Sequence, residues 1–165
     1  MELSADALRH NLRSVRASVG PGVRLLPMVK ADAYGTGVAG AVAALEADDP
    51  YGYGVAAVEE GVELRALGVL KPILVLSPTP PASVRAGVEA GLTLSISSLE
   101  ALDLVLSAAA GGPAAFHLEV DTGMGRAGFD WRDVPRWAPR AFLAHAAGVR
   151  WTGCFTHMHS ADEGR

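Results

Sequence analysis

The chain is organised around one stretch, which runs Leu25-Leu26-Pro27-Met28-Val29-Lys30-Ala31-Asp32-Ala33-Tyr34-Gly35-Thr36-Gly37. An apolar run ends at Lys30, Tyr34 follows four residues later, and glycines then allow the backbone to turn. The chain has only two lysines, Lys30 and Lys71, against twelve arginines. A lysine at the end of a hydrophobic strand either extends along the surface to water or takes part in chemistry, and this stretch alone leaves both interpretations open.

Apolar runs alternate with helical patterns along the rest of the chain. Ser4 and Ser98 are predicted to cap helices, and Gly20-Pro21 is predicted to end the first helix. The helical pattern over residues 131–147 is expected to be interrupted near Pro135 and Pro139. The predicted strands are residues 23–30, 51–58, 73–76, 92–96, 115–121 and 151–158. This alternation is typical of parallel βα units, which occur in doubly wound sheets and in (β/α) barrels. Polar residues lie at the carboxyl ends of the first, fifth and sixth of these strands, at Lys30, at 121–126 and at His157. Both folds place their sites at that edge, so the pattern does not choose between them.

Three segments resemble the signatures of the alanine racemases, and they occur in the order that is usual for that family. They are Val29-Lys30-Ala31-Asp32-Ala33-Tyr34-Gly35-Thr36-Gly37, Val120-Asp121-Thr122-Gly123-Met124-Gly125-Arg126-Ala127-Gly128-Phe129 and Gly153-Cys154-Phe155-Thr156-His157-Met158-His159-Ser160-Ala161-Asp162-Glu163. Thr36 stands where the family usually has histidine. The resemblance implies an α/β fold of the (β/α)8 TIM-barrel type.

A complete barrel needs eight strands and typically about 250 residues, whereas six strands are predicted here. We therefore expect a partial barrel with about six of the eight βα units. Residues 1–165 are expected to form the N-terminal barrel domain of an alanine racemase, incomplete and without the C-terminal β domain of that family.

The resemblance also implies the cofactor and the site residues. Pyridoxal 5'-phosphate is the expected cofactor, with Lys30 as the catalytic lysine that forms its Schiff base, Tyr34 as a contact of its phosphate, and His157 packed against its pyridine ring. Arg126 is expected to be catalytic and to bind the substrate. In the family a lysine seven residues earlier, often carbamylated, holds this arginine. Glu119 stands there in this chain, and its shorter carboxylate is a candidate partner of Arg126.

The chemistry of racemisation explains why a lysine is needed. The α-proton of an amino acid is too weakly acidic for an unaided side chain, and pyridoxal phosphate makes it removable by drawing the carbanion's electrons into its ring. A lysine near apolar surface suits attachment, because desolvation lowers the pKa of its amine. Lys71 precedes a predicted strand and would lie at the opposite end of a barrel.

Two other motifs point to other classes of enzyme. Gly35-Thr36-Gly37-Val38-Ala39-Gly40 fits the G-x-G-x-x-G pattern of dinucleotide sites, with Glu59 and Glu60 about 20 residues further on. However, a dinucleotide-binding strand is apolar up to its first glycine, and here Lys30, Asp32 and Tyr34 lie between the apolar run and Gly35.

The second motif is a possible metal site. His157 and His159 would point the same way on a strand and could form part of such a site, with Asp162 and Glu163 following. We expect no metal.

Bulk properties exclude several classes of function. The net charge of -4 gives no support to nucleic-acid binding. No apolar run reaches the length of about 18 residues that suggests a membrane span. The acidic, polar start is unlike a secretory signal, and the single Cys154 suits a reducing compartment. These features predict a cytoplasmic protein without nucleic-acid or membrane partners.

The sequence therefore predicts a racemase-type protein that interconverts L- and D-alanine, a role that supplies D-alanine for the bacterial cell wall. The family takes its second catalytic base, a tyrosine, from the C-terminal domain of a partner subunit, and its main phosphate loop from later barrel strands. We expect a homodimer or other self-association, and weak or no activity of this polypeptide alone. The alternatives are a non-catalytic half-barrel that oligomerises through its open edges and a racemase of broader specificity.

Overall fold

The computed structural model describes residues 4–109 and 112–160. The chain divides into two compact units, Met1–Leu76 and Ser77–Arg165. In both units strands alternate with helices, as the sequence predicts. None of the helices in the described ranges is long and apolar enough to cross a membrane.

The described part of the first unit has four helical segments and two short strands. These are α1 (Ala5–Val19), α2 (Lys30–Gly35), α3 (Val38–Glu46), β1 (Tyr53–Val55), α4 (Val58–Ala66) and β2 (Ile73–Val75). The strands β1 and β2 pair in parallel, with Tyr53 opposite Ile73 and Val55 opposite Val75. Every residue of both strands is buried, which is why they consist of apolar residues with one glycine rather than an alternating pattern.

The first helix begins and ends where the sequence predicts. Ser4 caps it, because its Oγ accepts a hydrogen bond from the Ala7 N–H at 3.2 Å. Gly20 ends it with a φ of 85°, a conformation that glycine adopts without steric cost. Arg9 and Arg13 then tie the helix to the chain after α3 through salt bridges to Asp48.

The predicted first strand, residues 23–30, is not a regular strand. The segment lies beside β1 and makes one isolated parallel bridge, between Met28 and Gly54. Gly54 donates to the Pro27 carbonyl, and the Gly54 carbonyl accepts from the Val29 N–H, both at 2.9 Å. Pro27 has no N–H to donate, which limits the ladder that this segment can form. The apolar run still leads, as predicted, directly to Lys30.

The second unit contains the remaining elements. These are α5 (Pro81–Glu89), β3 (Thr93–Ile96), α6 (Leu99–Ala109), β4 (Ala115–Asp121), β5 (Phe129–Asp130), a 3-10 turn (Trp131–Asp133), α7 (Val134–Ala146) and β6 (Arg150–Phe155). The strand β4 pairs in parallel with β3, with β6 and, at its carboxyl end, with β5. Ser98 caps α6 as predicted, since its Oγ accepts from the Ala101 N–H.

Three details of the second unit differ from the predictions. The helix α7 is continuous, although interruptions were expected near Pro135 and Pro139. Pro135 lies in the first turn, where a backbone N–H has no helical partner in any case. The two-residue strand β5 was not predicted. The strand β6 ends at Phe155, three residues before its predicted end, so His157 lies beyond the strand rather than on it.

Candidate active site

The backbone after Lys30 forms a left-handed helical turn. Ala31, Asp32, Ala33 and Tyr34 have φ angles of 51° to 58° and ψ angles of 38° to 53°. This conformation costs an L-amino acid about 1–2 kcal/mol per residue, because Cβ crowds the following carbonyl oxygen. Consecutive non-glycine residues therefore adopt it only where the surrounding structure holds them there.

Two carboxylates hold the turn in place. Glu60, in the first turn of α4, accepts hydrogen bonds from the Ala31 N–H at 2.7 Å and from the Ala56 and Ala57 N–H groups at 2.7 and 3.1 Å. Asp32 Oδ1 accepts from the Val38 N–H at 2.7 Å, at the start of α3. The turn is thereby joined to the amino ends of two helices.

Sequence reasoning missed this role of Glu60 and considered the residue only as an acid of a dinucleotide site. One signal was available. Glu60 is the third residue of a helix, the position from which a glutamate reaches back to the backbone N–H groups before the helix. The contact to Ala31 had no such signal, because it joins residues 29 positions apart.

Lys30 begins the turn and Tyr34 ends it on the same exposed side. Lys30 is half-buried, and its Nζ lies 5.8 Å from the centre of the Tyr34 ring. Tyr34 is 64% exposed. In the described part of this unit the carboxylates that form salt bridges do so with arginines and with Lys71, not with Lys30. The Lys30 side chain is therefore half-exposed and is not held by a carboxylate in the described part of this unit.

Lys71 has a different environment, as the sequence predicts. It precedes β2, and its Nζ forms salt bridges with Glu46 at 3.0 Å and with Asp49 at 2.7 Å. These carboxylates raise the pKa of the Lys71 amine against the opposing effect of burial. A charged, paired amine is a poor nucleophile, so Lys71 has a structural role.

In the second unit, Asp121 organises the loop that carries Arg126. The Asp121 carboxylate accepts from the Gly123 N–H at 2.9 Å and from the Gly125 N–H at 3.0 Å. These N–H groups lower the pKa of Asp121 below its usual value, with that of Gly125 contributing most. The loop also needs Gly128, because a Cβ there would lie 2.6 Å from the Asp121 nitrogen. Arg126 is exposed on this loop.

The loop after β4 meets the end of β6. The hydroxyls of Thr122 and Thr156 form a hydrogen bond of 2.7 Å, and β4 and β6 are paired as far as Glu119 and Phe155. His157 follows Thr156 and is exposed. The second and third sequence motifs thus lie at one edge of the sheet of this unit, which the prediction of parallel strands anticipates.

Glu119 is buried near the carboxyl end of β4. It is only 3% exposed, and its Oε2 has no hydrogen-bond partner in the described part of the chain. Burial raises the pKa of the Glu119 carboxyl, while the positive charges of Arg126 and His157 oppose this shift. Glu119 and Arg126 form no salt bridge, because the glutamate side chain keeps its carboxyl inside the fold while Arg126 extends to the surface.

The structure also bears on the two alternative motifs. The first glycine of Gly35-Thr36-Gly37-Val38-Ala39-Gly40 follows the left-handed turn, not a strand, so the strand-to-glycine junction of a dinucleotide site is missing. Within residues 4–109 and 112–160 there is no group of three or more histidine, cysteine, aspartate or glutamate residues that could hold a metal. Asp162 and Glu163, which were part of that motif, lie outside the described residues.

The comparison with protein families agrees with these motifs. The family described as "Alanine racemase, N-terminal domain" matches residues 3–165. The chain belongs to this family. The expected resemblance is thereby confirmed over nearly the whole sequence.

Relatives and solved structures support the same assignment. The chain is 37% identical to an alanine racemase of Citrifermentans bemidjiense over 99% of its own length and 44% of that protein. It is similar to the crystal structure of alanine racemase from E. faecalis, with a TM-score of 0.88 and 33% identity over 98% of this chain and 44% of that one. It also resembles a histidine racemase from Leuconostoc mesenteroides, with a TM-score of 0.81 and 27% identity over 94% of this chain and 42% of that one.

These comparisons confirm the predicted fold class, a partial (β/α)8 barrel of the alanine racemase type. The chain spans less than half the length of the curated relatives it matches.

Proposed function

We propose that residues 1–165 are the N-terminal barrel domain of an alanine racemase-type isomerase that interconverts L- and D-alanine with pyridoxal 5'-phosphate as cofactor. The observation that carries the proposal is the left-handed turn that directly follows Lys30. Backbone strain of this kind is retained at functional sites, and here it directly follows a lysine whose amine is not held by a carboxylate in the described part of its unit. The lysine motif, the family match and the names of the relatives support the same activity.

The residues of the chain fit this cofactor. Lys30 provides a primary amine beside an apolar segment, which suits covalent attachment of an aldehyde. Tyr34 provides a hydroxyl donor for a phosphate, and His157 provides a flat ring for stacking. Arg126 carries a guanidinium that suits the carboxylate of an amino acid. When bound, the cofactor supplies an electron sink that makes the α-proton of the amino acid removable.

Lys30 has a second role in this proposal. As an uncharged amine, Nζ takes the α-proton from one face of the amino acid. Arg126 binds the substrate and holds it in orientation, which lowers the entropic cost of the transfer. Racemisation also needs a group that delivers a proton to the opposite face, and the alanine racemase resemblance assigns this group to a C-terminal domain of a partner subunit. We therefore propose weak or no racemase activity for the chain alone, self-association of the working enzyme, and a cytoplasmic location.

An absorbance spectrum tests the central claim. The chain is mixed with pyridoxal 5'-phosphate, and the same is done with Lys30→Ala and with Lys71→Ala as the matched control. We expect an absorbance band near the visible edge that borohydride removes, present in the unsubstituted chain and in Lys71→Ala and absent in Lys30→Ala. A band that persists in Lys30→Ala, or no band in any of the three proteins, contradicts the proposal.

The substrate is tested on the cofactor-loaded chain. The similarity to a histidine racemase makes another amino acid a specific alternative to alanine. Titration with L-alanine, L-serine and L-histidine is followed by the change in the absorbance band, and we expect the strongest response to alanine. Turnover of L-alanine by the isolated 165-residue chain at the rate of a full-length racemase would contradict the weak activity proposed for it.

A non-catalytic, self-associating half-barrel is the second candidate. The observation that favours it is β6, whose six residues are all exposed or half-buried. Light scattering distinguishes the candidates when combined with the spectrum. A stable oligomer that forms no Lys30-dependent band favours the association module, whereas a well-behaved monomer argues against it.

A further inference from the structure

Glu60 connects the Lys30 turn to the next βα unit. Its carboxylate accepts hydrogen bonds from two separate segments. Oε1 accepts from the Ala31 N–H, and Oε2 accepts from the Ala56 and Ala57 N–H groups. Ala56 and Ala57 form the junction between β1 and α4. The site roles proposed above do not include this residue.

The position of the Ala31 contact gives it a particular effect. The Ala31 N–H belongs to the peptide group that follows Lys30, so a hydrogen bond to it fixes the plane of that peptide. The plane sets the backbone angle at Lys30 and hence the direction in which its side chain leaves the backbone. Ala31 is also the first residue of the turn with a positive φ, where the backbone enters its strained conformation.

We infer that Glu60 is a positioning residue for Lys30: its carboxylate holds the entry of the left-handed turn against the amino end of α4 and thereby directs the Lys30 amine to the cofactor. The effect on cofactor binding rests on the proposed function. The effect on the conformation of the turn rests only on the hydrogen bonds of Glu60.

A carboxylate is required at Glu60 because all three of its partners are backbone N–H groups, which donate hydrogen bonds. Both oxygens of an ionised glutamate accept hydrogen bonds, whereas a glutamine has one accepting oxygen and one NH2 group that donates. In Glu60→Gln the NH2 group must face either the Ala31 N–H or the pair at Ala56 and Ala57. One of the two connections is therefore lost. The negative charge also suits the amino end of α4, where the helix dipole is positive.

The experiment compares Glu60→Gln with Glu63→Gln. Glu63 lies on the same helix and is exposed, so its substitution removes the same charge without touching the turn. Each protein is treated with pyridoxal 5'-phosphate and borohydride, and mass spectrometry measures labelling at Lys30 and Lys71, the two lysines of the chain. Lys71 serves as an internal control for protein amount and folding. Amide hydrogen exchange of residues 31–34 is measured in parallel without cofactor.

We expect Glu60→Gln to reduce Lys30 labelling by about tenfold, the effect of losing one hydrogen bond to a charged acceptor. Lys71 labelling should not change, exchange of residues 31–34 should become faster, and Glu63→Gln should behave as the unsubstituted chain. A general loss of stability would change the labelling of both lysines together. The ratio of Lys30 labelling to Lys71 labelling therefore distinguishes an effect on the position of Lys30 from an effect on folding. Unchanged Lys30 labelling in Glu60→Gln overturns the inference.

The two proposals fail in different ways. If the unsubstituted chain labels Lys30 no more than Lys71, the proposed function is wrong, and the exchange measurement alone then decides the role of Glu60. If residues 31–34 exchange faster in Glu60→Gln but not in Glu63→Gln, that role is supported. Equal exchange in all proteins overturns it. If Glu60→Gln does not fold, Glu60→Asp replaces it. This variant keeps the charge at α4 but is one methylene shorter, and it should lose the Ala31 contact with the same result at Lys30.

Discussion

Replacing Ala31 with glycine should stabilise the protein, although the same change in an ordinary helix destabilises it. Ala31 has a φ of 51°, which costs an alanine about 1–2 kcal/mol and a glycine nothing. Glycine loses more backbone entropy on folding, by about 0.5–1 kcal/mol, so the expected net gain is about 0.5–1 kcal/mol. The Ala31 methyl group is exposed and its N–H remains in the variant, so neither burial nor the Glu60 contact is given up.

The matched control is Ala43→Gly. Ala43 is exposed in the right-handed helix α3, in the same unit, and its replacement should cost about 1 kcal/mol. Urea unfolding at 25 °C gives both changes in the free energy of unfolding, and the two variants should differ by about 1.5–2 kcal/mol in opposite directions from the unsubstituted chain. If Ala31→Gly loses as much stability as Ala43→Gly, residues 31–34 are not left-handed and the argument about strain at Lys30 is wrong.

The remaining predictions concern the carboxyl end of β4 and the loop after it, which carries Arg126. The pKa of Asp121 is lowered in the fold, so its contribution to stability is complete above its usual value of 3.8 and is lost as the pH falls through the folded value. Asp121→Asn should therefore lose stability at pH 7, and thermal unfolding should show this difference shrinking in acid. A difference that is the same at pH 7 and pH 3 would contradict this. Burial raises the pKa of Glu119, so its contribution to stability is complete below the usual value of 4.5 and is lost as the pH rises through the folded value. Glu119→Gln should gain stability relative to the unsubstituted chain between pH 4 and pH 7, and a constant difference over this range would refute that. Gly128→Ala should cost about 1–3 kcal/mol, because its φ is +112° and its new Cβ would meet backbone atoms of residues 119–121. Wild-type stability of this variant in urea would show that the loop can move aside.

Local signals predicted the elements whose determinants lie within a few residues. Ser4 and Ser98 were identified as helix caps from their own positions, and β4 was predicted with the bounds that it has. The strand at residues 23–30 and the interruptions of α7 were less accurate. The strand was predicted although Pro27 cannot donate to a ladder with β1, and only one isolated bridge forms there. The interruptions were predicted from two prolines that α7 accommodates, Pro135 in its first turn and Pro139 inside it, so the effect of a missing N–H depends on the surrounding structure.

The order and residues of the three motifs, together with the family resemblance, were sufficient to predict the family, the partial barrel and the candidates Lys30, Tyr34, Arg126 and His157. The tertiary structure alone decided how Lys30 is presented. No local preference places four consecutive non-glycine residues in the left-handed region, since each is less stable there by itself. The turn is joined by the Ala31 N–H to Glu60, 29 residues further along the chain, and Glu119 is buried by strands that are likewise distant in sequence. Composition and motifs record which groups the chemistry needs, whereas strain and burial arise only when distant segments pack against one another.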